Sequence, residues 1–265
     1  MPTLSRITIF PIKSLDGSDF AAKTVLPSGA LEHDRRYALV DAWGKFVNGK
    51  QCQAIHAIRA EYSADCRQVT LAHGERRDTF SFECEQENIA RWCGKVLGKT
   101  CRLVENVDVG FPDDCEAPGP TLVSTASLTE VASWFELSLE EARRRFRANL
   151  EVDAEEPFWE DRLVRERTKL RRFSIGSVVW QGRGVCQRCV VPSRDSHSGE
   201  VADGFAKRFS KGREASLPDW SPEQCFDHFY RLAINMGLDS AAGESIIRIG
   251  DALTLLEDPR LASRP

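Results

Sequence analysis

The chain has 265 residues, 42% of them hydrophobic, enough to bury a substantial core in one large domain or two smaller ones. Its 36 basic and 40 acidic residues leave a net charge of −4, which gives no general attraction to nucleic acid or to an anionic membrane, so any anion binding must be local. No stretch approaches the roughly 18 uninterrupted apolar residues of a membrane-spanning helix, and residues 7–15, broken by Pro11 and Lys13, are too short for a secretory leader, so a cytoplasmic location is expected.

In chain order, residues 6–12 alternate loosely, 36–40 are apolar and aromatic, and 69–71 and 79–82 are short β-prone runs, so this half reads as strands. A helix fits residues 88–97, because Ile89, Trp92, Cys93, Val96 and Leu97 follow helical spacing and Gly98 stands where a C-cap belongs. Residues 106–120 hold Gly110, Pro112, Pro118, Gly119 and Pro120 among acidic residues without periodicity, the pattern of a linker or long loop. Ser127-Leu-Thr-Glu130 and Ser138-Leu-Glu-Glu141 both match the capping box, predicting two short helices in series. Strands are expected at 173–180, 189–191 and 245–256. A helix is expected from Ser221-Pro222-Glu223-Gln224, with Phe226, Phe229, Tyr230 and Ala233 on its buried face and Gly237 closing it.

Nine cysteines, an odd number scattered along a long chain, read as reduced thiols and mostly as core fillers. The sharpest local feature is Gly184-Val-Cys186-Gln-Arg188-Cys189-Val-Val-Pro192. A zinc site lacks a second C-x-x-C or an H-x₃₋₅-H to complete four ligands. A thioredoxin-like dithiol needs a helix after its first cysteine, whereas Val-Val-Pro favours a strand. A single thiolate ligand to a soft or high-valent metal, kept ionised by Arg188 and nearby amides, and a pair of structural thiols in a tight turn both remain open.

Six separated motifs in order resemble the MOSC family, which includes the mitochondrial amidoxime-reducing component and its bacterial relatives, and they cover nearly the whole chain. Ile9-Phe10-Pro11-Ile12-Lys13-Ser14 is similar to the family's YPIKS opening, and Asp34-Arg35-Arg36-Tyr37-Ala38-Leu39-Val40 to its DRxWxLV strand. Ser124-Thr125-Ala126-Ser127-Leu128 resembles SxASL, and Arg145-Phe146-Arg147-Ala148-Asn149-Leu150 resembles xFRPNI. Phe158-Trp159-Glu160-Asp161 and Phe173-Ser174-Ile175-Gly176 precede the cysteine pair, with Asp195 and Gly199 at the family's downstream spacing. Departures are Leu15 for a frequent cysteine, Ala148 for proline, and His197 for an acidic residue.

The resemblance implies an α+β, β-rich fold: an N-terminal β-rich domain over residues 1–118 packed against a MOSC β-barrel over 119–265, with short flanking helices. It implies a molybdenum-molybdopterin cofactor in the groove between them, with Cys189 ligating the metal and Lys13, Ser14, Arg35, Thr125, Arg147 and Asn149 contacting the pterin and its phosphate. Asp195 is the implied proton-handling group. The implied activity is that of a molybdenum-dependent oxidoreductase removing oxygen from N-hydroxylated or N-oxygenated small molecules. With no iron–sulfur spacing or dinucleotide fingerprint in the chain, electrons would come from a ferredoxin- or flavoprotein-like donor. The alternative is a sulfur carrier or cofactor-handling protein using the same cysteine, since MOSC domains also occur fused to molybdenum-cofactor sulfurases. The absence of a pyridoxal-binding desulfurase domain favours the stand-alone reductase. Neither nucleic acid nor a membrane is expected as a partner.

Overall fold

The computed structural model describes residues 1–114, 117–165, 170–239 and 245–257. The first part runs through β1 (Leu4–Ile9), β2 (Ser18–Asp19), β3 (Ala22–Val25), β4 (Tyr37–Asp41), β5 (Arg59–Tyr62), β6 (Gln68–His73), β7 (Arg76–Ser81), α1 (Gln86–Leu97) and β8 (Cys101–Glu105). The second runs through β9 (Thr121–Ser124), α2 (Thr125–Trp134), α3 (Leu139–Phe146), β10 (Leu150–Val152), β11 (Arg171–Ile175), β12 (Val178–Gln187), α4 (Phe205–Ala215), β13 (Arg231–Leu238), β14 (Ser245–Arg248) and β15 (Leu253–Leu255). The expected α+β, β-rich architecture is what the chain adopts. Among the described residues no helix is long and apolar enough to cross a membrane.

The largest sheet has eight strands in the order β15-β11-β12-β13-β9-β10-β1-β2. Its last two strands come from the chain's beginning: β1 lies antiparallel to β10, with Ile7 opposite Leu150. The crossover from β9 to β10 runs through α2 and α3 and leaves those strands parallel. The end of the chain also returns to its start, because β14 pairs with β3.

Three apolar clusters follow. Leu4, Ile7, Leu150, Phe173, Trp180 and Ile234 pack on the large sheet. Ile12, Leu39, Ile55, Leu71, Trp92 and Cys93 pack around α1 and the small sheets. Val123, Leu128, Phe146, Phe158, Phe205 and Phe209 join the other three helices.

Local periodicity succeeded where one face of an element is buried. Ile89, Trp92, Cys93 and Leu97 of α1 are buried, and Gly98 caps the helix at φ +61°. The unstructured reading of 106–120 holds for its described residues. Helix α3 is capped as expected by Ser138, whose Oγ accepts from the Glu141 amide at 3.1 Å. The preceding cap is not Ser127 but Ser124, three residues earlier, whose Oγ accepts from the Ser127 amide at 3.1 Å.

The helix expected from Ser221 does not form. A single 3₁₀ turn at Glu223–Cys225 is followed by β13, which contains both Ala233 and Gly237. That strand is buried on both faces, Leu232 and Ala233 in the helical cluster and Ile234 and Met236 on the large sheet, so its near-continuous apolar run has no alternation to distinguish it from a buried helix. The 189–191 strand is also absent: Val191–Ser193 is a 3₁₀ turn, with Pro192 near its start, where a missing N–H costs nothing. The 173–180 segment is the hairpin of β11 and β12, turning at Gly176, φ +56°. Within 245–256 the chain breaks into β14 and β15. Helix α4 was not anticipated, because its buried residues Phe205, Phe209 and Arg213 alternate with charged ones and no polar cap precedes it.

Two features fix how the second half packs. A methyl group on Gly182 would lie 1.9 Å from the Leu163 carbonyl oxygen, so only glycine lets β12 pass there. Arg213 is buried in an ion pair with Asp161, and its guanidinium stacks 3.8 Å from the centre of the Phe158 ring. Next to this pair, Glu160 accepts from Ser127 Oγ at 2.8 Å and from the Ser124 amide at 3.3 Å.

Gly182→Ala is expected to destabilise the chain by about 3 kcal/mol through this overpacking, seen as a lowered urea midpoint. Burial and then Asp161 push the Glu160 carboxyl from 4.5 up to about 7. A raised acid holds its proton more tightly folded than unfolded, so its ionisation costs stability progressively as pH rises through that window and adds nothing further above it. Glu160→Gln should therefore flatten the stability profile between those values, gaining on the wild type by up to about 3 kcal/mol above neutral pH.

Candidate functional site

A cleft of about 870 Å³ opens between the chain's first sixty residues, the loop before β9, the C-terminal end of α3 and the segment around the cysteine pair. Eleven Lys and Arg against eight Asp and Glu line it, in a chain whose net charge is −4. Positive charge is therefore concentrated here rather than spread, as the composition required of any anion site.

Lys13, Ser14, Arg35, Arg147, Asn149 and Cys189 all line this cleft, although they are spread over more than half the chain. Three of them have left-handed backbones: Ser14 at φ +74°, Arg35 at +49° and Arg147 at +53°. Each non-glycine residue held there costs on the order of 1 kcal/mol or more, and such residues gather where geometry is worth the cost. Arg147 provides the C-cap of α3, donating its amide to the Arg143 carbonyl at 2.9 Å. This turn sends its guanidinium 4.1 Å from the centre of the Phe10 ring, with Nη2 donating to the Leu15 carbonyl at 2.7 Å. Burial, and then the charge of Arg35, lower its pKa to about 10.

Arg35 pairs with Asp34 and donates to Asn149 Oδ1 at 3.2 Å. Lys13 Nζ reaches the Phe111 carbonyl at 2.8 Å and Asp113 at 2.6 Å, which brings the loop before β9 onto the cleft. Its burial lowers the lysine's pKa against the opposing pull of Asp113. Ser14 Oγ accepts from the Gly49 amide at 3.1 Å.

Cys189 is half-buried, its Sγ accepting from the Val191 amide at 3.4 Å and its carbonyl from Tyr230 Oη at 3.0 Å. Arg188 does not serve it as the sequence suggested: Nη1 lies 3.3 Å from Cys186 Sγ. Among the described residues no group of three or more His, Cys, Asp or Glu is placed to hold a metal ion. A metal here would need most of its ligands from a bound cofactor.

Two expected residues are not brought into the lining. Thr125 Oγ1 donates to Glu151 at 2.7 Å, bracing a carboxylate that does face the cleft. Asp195 Oδ1 accepts from the amides of His197 and Ser198, at 3.1 and 2.8 Å, and these bonds hold its carboxyl below the usual range. It organises its own turn. Conversely, Phe10, Lys50, His56 and Arg194 line the cleft without having been singled out. The Arg143–Arg145 run contributes too, where charge pattern alone suggested a solvated face.

The lining suits a phosphate-bearing polar cofactor. Arg144, Arg188 and Arg194 line the cleft without a carboxylate partner among the described residues, and the Arg147 guanidinium donates to a backbone carbonyl instead of a carboxylate. Donors left open around a cleft are what an oxyanion would satisfy.

A cation-lined cleft with a thiol in its wall, on a β-rich frame shared between both ends of the chain, defines the class of site. The chain belongs to the MOSC family: residues 1–141 match the MOSC N-terminal beta barrel domain and 120–254 match the MOSC domain. It is similar to the molybdenum cofactor sulfurase of Drosophila melanogaster, 27% identical over 252 residues, covering 80% of this chain and 30% of that protein. The molybdenum cofactor sulfurase of Danio rerio is 26% identical, covering 71% and 27%. This chain thus spans less than a third of the length of those relatives. The solved YUAD protein of Bacillus subtilis aligns over 96% of both chains at 10% identity and a TM-score of 0.41.

Arg147→Gln, which removes an unpaired half-buried charge, should leave the melting temperature close to that of the wild type. The same variant should bind pyrophosphate at least about tenfold more weakly by calorimetry.

Proposed function

We propose that the cleft binds a molybdenum cofactor, with Cys189 as the protein's ligand to the metal. The observation carrying this reading is the convergence of Lys13, Arg35, Arg147 and Asn149 with Cys189 on one wall system with several cations that have no carboxylate partner among the described residues. The relatives' names point to the same cofactor. Arg147 and Arg35 are the fixed cations for the phosphate, Ser14 orients the polar ring, and Asn149 holds Arg35 in place. Once bound, the cofactor supplies two-electron oxygen-atom chemistry.

The chain's own contribution is positioning. The Val191 amide directed at Cys189 Sγ orients the sulfur, and the Tyr230 bond fixes the backbone that carries it. For turnover, we propose reduction of N-hydroxylated or N-oxygenated small molecules, with electrons delivered by a separate ferredoxin- or flavoprotein-like donor. The cleft volume supports this, since at 870 Å³ it lies toward the top of the ordinary small-molecule range of about 300–1,000 Å³ and has room for more than the cofactor. The second reading, sulfur or cofactor handling through Cys189, is favoured by the sulfurase relatives. A carrier would exchange sulfur or cofactor with a partner, whereas an oxidoreductase would retain its metal through many turnovers.

Elemental mass spectrometry of protein from a cofactor-competent host should find near-stoichiometric molybdenum in the wild type and loss of metal or of N-hydroxy reductase activity in Cys189→Ser. A wild type with neither molybdenum nor pterin would overturn the cofactor reading. Metal retained without reductase activity, together with sulfur transfer to a partner, would select the second.

A further inference from the structure

The cleft has a second cationic centre, at its outer rim. His197 lies there between two guanidinium groups. Its Nε2 is 2.8 Å from Arg144 Nη1 and its Nδ1 is 3.4 Å from Arg59 Nη1. A neutral imidazole has one acceptor nitrogen, so at most one of these contacts is a hydrogen bond and the other sets N–H against N–H; a protonated ring would face two cations with none. Either way His197 meets both guanidinium groups directly, and Arg144 has no carboxylate partner among the described residues.

The surrounding carboxylates are engaged at the edges of this cluster. Asp16 pairs with Arg59, its Oδ2 3.5 Å from Nε, and also accepts from the Ala60 amide. Glu141 is held by Arg145 and by Ser196, and Asp195 by the His197 and Ser198 amides, with Arg145 at 3.5 Å. Glu140 pairs with Arg143 and Arg6. Arg144 makes its contact with His197 and is bonded to none of these acids. Arg59 is itself anchored, Nη2 donating to the Ser196 carbonyl at 3.0 Å, and its buried Nε has no hydrogen-bond partner. One rim residue is thus fixed while Arg144 and His197 are exposed and free to turn toward an incoming group.

We propose that Arg59, Arg144 and His197 form a carboxylate-binding rim that selects anionic small-molecule substrates for this cleft. A carboxylate placed among them would accept from both guanidinium groups and from the imidazole, converting the repulsive contact into charge-assisted hydrogen bonds. An acidic residue at position 197 would occupy that place itself and repel the same substrate, so the histidine changes the sign of the selection. The proposal deepens the reading above and rests on it only in naming the ligand a substrate.

The test is an NMR titration of the full chain with benzoate, and with benzamide as its uncharged counterpart, for wild type, Arg144→Gln, His197→Asp and Arg147→Gln. Molybdenum content is measured on the same preparations. The wild type should bind benzoate at least about tenfold more tightly than benzamide. Arg144→Gln and His197→Asp should each lose that preference while keeping the wild-type melting temperature and metal content, and Arg147→Gln should retain it. Equal binding of the two probes by the wild type, or a preference that survives both rim variants, would overturn the rim. So would a preference lost only in Arg147→Gln, which would seat the anion deeper. Metal-free wild type that still prefers benzoate would sink the cofactor reading and leave the rim standing.

Discussion

The side chain of Asn149, 2% exposed, ties together segments that are otherwise far apart in the chain. Its Nδ2 donates to the Thr8 carbonyl at 3.1 Å, joining the start of β10 to β1. Its Oδ1 accepts from Arg35 at 3.2 Å and from the Thr121 amide at 3.3 Å, adding the first cationic loop and β9. The Asn149 backbone completes the stitch, accepting from the Thr8 amide at 2.7 Å and donating to the Thr121 carbonyl at 3.0 Å. A buried amide with this many partners is costly to replace, because any shorter or apolar side chain leaves several buried polar groups unsatisfied. The cleft's position follows from it: β1 must join the large sheet before Lys13, Ser14 and Arg35 can face Arg147.

Around that junction the chain accepts local costs. Ser14, Arg35 and Arg147 occupy the left-handed region, and the half-buried Arg147 has no carboxylate in hydrogen-bond reach among the described residues. Seven of the other ten cations lining the cleft are paired, as Arg6 is with Asp19 and Arg143 with Glu151. A site built for its own stability would have neutralised Arg147 in the same way. Leaving it open shifts the balance toward a ligand that brings the missing charge.

The two cysteines illustrate how adjacent residues acquire different surroundings. Cys186 lies within β12, opposite a register shift in β13 where Ala233 has φ +66°, and it faces the Arg188 guanidinium. Cys189 lies beyond the strand, on a turn stiffened by Pro192 and anchored by Tyr230. Strand termination at Gln187 separates them, and the spacing of the pair could not reveal it.

The sequence by itself determined what short-range physics controls. Period and cap fixed α1 through Ile89, Trp92, Cys93, Leu97 and Gly98, Ser138 fixed the start of α3, and proline and glycine kept the described residues of 106–120 out of regular structure. Motif order identified the family and chose six residues that line one cleft. Tertiary structure decided what depends on partners distant in the chain. β13 became a strand because β9 and β12 offered hydrogen bonds on both edges, against a pattern that also suits a helix. Asp195 was spent on its own turn, Thr125 on Glu151, and Arg188 on Cys186. Lys50, His56 and Arg194 entered the cleft on loops whose sequence carries no period. The rim of Arg59, Arg144 and His197 unites positions up to 138 residues apart, a proximity set by long-range packing and by no local signal.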